Sequence, residues 1–256
     1  MANTTTILLA ATALAVSTTS GFASAADPVF ASATPPVSIP LFSNQPTGAA
    51  PKDWAFQPVH NAPAPTRYML VRDDELGATV IEGSANAAAG ALIYRFDGDA
   101  RINSILRFKW KPGKLIATSD PRTKSGDDYV ARIYVTFAFD PERTTIREKT
   151  ENSIAQALYG ETPPHAALSY VFTHKAAVGT LITSPYTQRV KKIVVDADPG
   201  SVGKWKSFTR DIYDDYKRAF GEEPTRISGI AIMVDTDNTG ETTSARFGDI
   251  TLSSRP

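Results

Sequence analysis

The chain has 256 residues, 42% of them hydrophobic, enough to bury the core of one large all-β domain. Its 27 Lys and Arg balance 27 Asp and Glu, which excludes an overall field favouring nucleic acid or an anionic membrane. It contains no cysteine, so a disulfide framework, thiolate metal ligands and a thiol nucleophile are excluded together.

Residues 7–16 form an apolar run of signal-peptide length, too short to cross a bilayer as a helix, and Ala23-Ser24-Ala25 has the small-x-small pattern that a signal peptidase accepts. The only positive charge ahead of the run is the α-amino group. Residues 1–25 are expected to be a cleaved signal peptide. The chain is then an exported bacterial protein, periplasmic or secreted, with no integral membrane segment after cleavage. Residues 26–65 carry nine prolines, each fixing φ and removing a backbone donor, and read as a linker and docking segment. Phe42, Trp54 and Phe56 are large enough to seat its later part on a domain.

From residue 67 onward, short apolar or alternating runs are bounded by Gly, Asp, Asn and Pro. Strands are expected at 67–71, 78–83, 90–96, 105–111, 129–139, 168–173, 189–197, 227–234 and 245–252. In 105–111, Leu106, Phe108 and Trp110 alternate with Arg107, Lys109 and Lys111. In 129–139, Ala131, Ile133, Val135, Phe137 and Phe139 alternate with Arg132, Tyr134 and Thr136. The run 227–234 is apolar on both faces, as in a central strand covered on both sides. Helices are expected at 211–220, with a stripe of Ile212, Tyr213, Tyr216 and Phe220 and a Gly221 cap, and at 145–159. The fold expected over 66–253 is an all-β, jelly-roll-like antiparallel β-sandwich with one or two packed helices.

Several segments resemble, in order, the blocks of a bacterial exported family catalogued as domain of unknown function 3047. They are Leu106-Arg107-Phe108-Lys109-Trp110-Lys111, the block from Asp127-Asp128-Tyr129 to Val135, and Leu158-Tyr159-Gly160 followed by Leu168-Ser169-Tyr170. Ser184-Pro185-Tyr186-Thr187, Asp215-Tyr216 with Phe220-Gly221, the stretch from Asp235 to Gly240, and Gly248-Asp249-Ile250 complete the set. Phe172 stands where the pattern has Trp. The resemblance covers roughly residues 42–252 and implies an exported β-sandwich with no established activity.

The densest polar cluster is Asp235-Thr236-Asp237-Asn238-Thr239-Gly240. Asp235, Asp237 and Gly240 match the first, third and sixth positions of an EF-hand loop, but Thr239 at the fifth and Arg246 at the twelfth exclude one. If strand 129–139 runs antiparallel to 227–234, Asp127-Asp128 lies beside this turn. Asp127, Asp128, Asp235, Asp237 and Asn238 are then candidate ligands for a structural Ca²⁺. The competing reading is a turn whose Asp and Asn cap backbone donors while Asp128 pairs with an Arg. Asp249, nine strand residues or about 30 Å from Gly240, is assigned a structural role at the other end.

A second constellation joins Arg107, Lys109, Arg132 and Tyr134 into one wet face, provided that their two strands are neighbours. An exposed face charged against aggregation is the alternative. No phosphate-binding glycine loop, serine elbow or metal-spaced histidine pair is present. The expected function is noncatalytic binding of a carbohydrate or other cell-envelope ligand, with a structural cation and no organic cofactor. Two alternatives stand beside it: an enzyme acting on an envelope polysaccharide through paired carboxylates, and a structural partner in an envelope complex.

Overall fold

The computed structural model describes residues 37–140, 142–143 and 164–255, all within one compact unit, Thr34–Pro256. Its strands in chain order are β1 (Ala55–Pro58), β2 (Ala64–Pro65), β3 (Arg67–Asp73), β4 (Ala78–Asn86), β5 (Ala88–Gly98), β6 (Ile105–Pro112) and β7 (Arg132–Phe137). They continue with β8 (Ala166–Phe172), β9 (Leu181–Thr183), β10 (Val190–Asp196), β11 (Lys206–Asp211), β12 (Ile227–Met233), β13 (Thr242–Phe247) and β14 (Thr251–Ser253). The helix α1 (Ile212–Phe220) lies between β11 and β12. The expected helix at 145–159 lies outside the described residues.

The strands form the two sheets of a β-sandwich. The larger has the order β1-β5-β12-β7-β8-β10-β9, with β2 beside β5, and the smaller β11-β6-β13-β4-β3, with β14 beside β6. Pairing is antiparallel except for β8 with β10 and β2 with β5. Each of the nine expected strands has a counterpart, the last of them split between β13 and β14, and the alternation in two of them sets the layers. Leu106, Phe108 and Trp110 of β6 and Ile133, Val135 and Phe137 of β7 turn into one core, each at most 3% exposed. Phe108 meets Tyr170 of the opposite sheet at 6.0 Å between ring centres. Central β12 is buried on both faces, with Ile230 and Ile232 inward and Ala231 and Met233 outward at 4% and 6% exposure.

The expected strand 245–252 is interrupted. Gly248 lies so close to the Lys109 stem that a Cβ there would come within 2.6 Å of Lys109 Cγ, and the chain bends into β14 after Asp249. Asp249 then accepts hydrogen bonds from Ser43 N at 3.0 Å and Ser43 Oγ at 2.6 Å. The described part of the proline-rich segment, from residue 37, is therefore docked. Phe42 and Trp54 are buried and pack ring to ring, and the backbone of 48–49 exchanges hydrogen bonds with Leu70 on the outer edge of β3.

Helix α1 starts where Asp211 accepts from Tyr213 N and Asp214 N and stops at Gly221, left-handed at φ 73. Ile212 and Tyr216 are its buried stripe, and Tyr216 packs 4.4 Å from Phe137. Ala87, with φ 45, is the corner between β4 of one sheet and β5 of the other. Its N–H donates to Glu241 O. A non-glycine left-handed residue is uncommon, and here it places the ends of β4 and β13 side by side.

Candidate functional site

Antiparallel pairing of β7 with β12 sets Arg132 opposite Met233, so the chain before β7 and the chain after β12 emerge together. Asp128 and the acidic turn meet there as expected. Asp128 accepts from Asn238 N, Asn238 Nδ2 and Thr239 N at 3.3, 3.0 and 2.7 Å. Gly240, at φ 71, closes the turn by donating to Thr236 O at 2.9 Å. Asp128 thus caps the turn's donors, as the turn-forming reading has it; its partners are amides and not an arginine.

Beneath the turn lies a buried ionic layer. Arg132 Nη2 donates to Asp235 Oδ2 at 2.6 Å, and its guanidinium lies over the rings of Tyr129 and Tyr134, 4.8 and 5.2 Å from their centres. Lys192, 1% exposed, donates to Asp127 Oδ1 and to Pro121 O. Carboxylate oxygens of Asp128, Asp235 and Asp237 lie within 4.8 Å of one another, while Asp127 turns to Lys192 and Tyr129. Asp235 Oδ1 and Arg132 Nε are buried without a hydrogen-bond partner among the described residues. Burial, reinforced by the neighbouring carboxylates, raises Asp235 well above the ordinary carboxylate range against the pull of Arg132. Burial and Asp128 likewise push Asp237 up, and burial lowers Lys192.

The four-residue wet face does not form. Arg107 and Lys109 lie on β6, flanked by β11, β13 and β14 of the smaller sheet, whereas Arg132 and Tyr134 lie on β7, between β12 and β8 of the larger. Alternation along a strand reports its two faces and not the sheet to which it belongs. Arg132 is moreover only 5% exposed, its charge taken up by Asp235, and Arg107 donates to Ser253 Oγ.

A groove of about 610 Å³ lies next to the acidic turn, crossing the smaller sheet at the end from which β4 and β6 leave it. One row of its floor is fixed by register: Arg67 of β3 opposite Ser84 of β4, and Ser84 opposite Ser244 of β13. Gly113 N then donates to Ser244 O at 2.7 Å. A Cβ at Gly113 would stand 2.4 Å from Ser244 Oγ, so this approach needs glycine. In the next row Thr242 Oγ1 donates to Asn86 Oδ1. Ala85 and Thr243 between these positions face inward, at 2% and 3% exposure. Ala64, Pro65 and Ala88 border the floor, and Lys114 follows Gly113.

Arg67 and Lys114 are exposed and form no ion pair among the described residues, and no carboxylate lines the groove. The turn and the groove share a framework: Thr236 N donates to Ala88 O, and Glu241 accepts from Ala117 N and Thr118 N just before Thr242 enters the floor. The groove was not anticipated from the sequence. Its only local signal is the alternation of polar with small inward residues at Ser84-Ala85-Asn86 and Thr242-Thr243-Ser244.

Residues 52–251 match a family described as protein of unknown function, DUF3047. No curated protein matches the chain. The matched span holds the acidic turn, the ionic layer beneath it and the whole groove, and it makes up most of the chain: the protein belongs to the DUF3047 family.

Proposed function

We propose that this chain is an exported, noncatalytic β-sandwich that binds a carbohydrate or another cell-envelope ligand in the groove across β3, β4 and β13. The observation that carries the reading is the groove itself, an open trough whose floor of hydroxyl and amide groups lies between two unpaired cations. Such a surface offers donors and acceptors to a polyhydroxylated ligand. The apolar run at 7–16 and Ala23-Ser24-Ala25 support export. Asp128 and Asp235, the pair that acid/base hydrolysis would use, are each 1% exposed and engaged by backbone amides or Arg132, which favours binding over turnover. Glycan arrays and fractionated cell-wall material, screened with the chain lacking residues 1–25, are expected to yield a retained polysaccharide class. Failure of every glycan, wall fragment and envelope pull-down ends the reading.

A structural divalent cation at Asp128, Asp235 and Asp237 is the second part of the proposal. Among the described residues four carboxylates meet two buried cations in this layer, and the buried, unpartnered Asp235 Oδ1 is a hard oxygen donor. A bound ion would offset the excess charge and stiffen the turn that leads into the groove floor. Ca²⁺ at a hundredfold excess over its Kd is expected to stabilise the fold by about 2.7 kcal/mol, a rise of several degrees in melting temperature by calorimetry. Because Asp235 and Asp237 are raised, protons compete with the ion, and the rise shrinks as pH falls through their range. Identical melting in Ca²⁺ and in chelator removes the cation.

A further inference from the structure

We infer that the groove selects an acidic polysaccharide, a hydroxyl-rich chain with repeated anionic groups, and that Arg67 and Lys114 are the residues that read the charge. This rests on the proposal that the groove is a glycan site, and it names the class of glycan. Arg67 lies on the first and Lys114 just beyond the fourth of four adjacent strands, β3-β4-β13-β6. At the usual strand spacing their backbones are about 14 Å apart. A single small anion cannot touch both. An extended ligand lying across the strands can, with its hydroxyls over Ser84 and Ser244 and the free amide hydrogens of Asn86.

Two contrasts sharpen the choice. Among the described residues no aromatic side chain lines the groove, so a neutral sugar finds no ring there on which to stack, and charge is left as the main source of affinity. Elsewhere on the surface, the depression formed by residues 99–101, 138–140, 143 and 224–226 also holds arginines, but these are already paired. Arg101 binds Asp99, Arg143 binds Asp140 and Arg226 binds Asp97. Glu241, the acid on which Lys114 acts, is occupied by Ala117 N, Thr118 N and Thr118 Oγ1. The two groove cations therefore remain available, on a chain whose net charge is zero and supplies no general attraction for polyanions.

The test compares polygalacturonate, dextran sulfate and neutral dextran by calorimetric titration and affinity electrophoresis, using the full chain after removal of residues 1–25. The expected result is binding of one or both acidic polymers and none of dextran, weakening as salt screens the contacts. The two acidic arms tell carboxylate from sulfate recognition. Arg67→Glu/Lys114→Glu should lower affinity by roughly tenfold or more with an unchanged melting temperature. Lys175→Glu/Lys204→Glu, with the same change in net charge at exposed positions outside the groove, should leave it intact. Dextran bound as tightly as its sulfate, or equal loss in both double variants, overturns the inference. If the acidic polymers fail while the array returns a neutral glycan, the acidic class falls and the glycan site stands; if nothing binds, both fall.

Discussion

Asp235→Ala is expected to destabilise the protein by about 3–5 kcal/mol, measured by equilibrium urea unfolding. The substitution leaves the Arg132 guanidinium 5% exposed and without the carboxylate that it meets at 2.6 Å. The cost comes from the stranded charge more than from the lost attraction, so Arg132→Met/Asp235→Leu should recover most of it. A single-variant loss below about 1 kcal/mol would mean that water reaches Arg132 and that the layer is not sealed. The pH dependence follows from the same burial. Asp235 holds its proton to higher pH in the folded than in the unfolded chain, so the folded state binds more protons between the two values. Its titration contributes stability that is fully present below the ordinary carboxylate range and lost as pH rises through the raised value. Asp235→Asn should flatten that part of the stability profile.

Phe42→Ala is expected to cost about 3–5 kcal/mol, although it lies in a stretch whose composition reads as linker. Phe42 is 1% exposed and its ring lies 5.2 Å from that of Trp54, which in turn lies 5.9 Å from Tyr94 on β5. Truncation removes one wall of this stack while Asp249 still holds Ser43 in place, so the site cannot collapse to fill the cavity. Val178→Ala, at a side chain 63% exposed, is the comparison and should stay within about 0.5 kcal/mol of the parent. Equal stability of the two variants would show that the docked segment contributes nothing to the core.

The strands with strong alternation or continuous apolar runs were legible because each carries its burial pattern locally, as β6, β7 and β12 do. The edge strands β1, β9 and β11 were not. β11 reads Lys-Ser-Phe-Thr-Arg-Asp and β1 is exposed at all four residues, so neither has an apolar face for a sequence to display. Adjacency of Asp128 to the acidic turn followed from one antiparallel pairing. The ion pair of Asp127 did not, because it depends on Lys192 arriving from β10, two strands beyond Arg132. The groove depends on Thr242 reaching Asn86 across 156 residues, a pairing that no local pattern specifies. The wet face failed for the same reason, since faces are local and neighbours are not.

The backbone exchange between residues 48–49 and Leu70 also bears on how the protein behaves in a crowded compartment. β3 is seven residues long and, among the described residues, has no strand beyond it, which would make it a template for a strand from another molecule. Gly48 and Ala49 occupy its unpaired donor and acceptor at Leu70, midway along that edge. The larger sheet ends in β1, which closes on Pro58, and in the three-residue β9, both poor seeds for growth. The docked segment thus acts as a guard against polymerisation as well as a part of the core, and a proteolytic nick near residue 50 would release colloidal stability along with folding free energy.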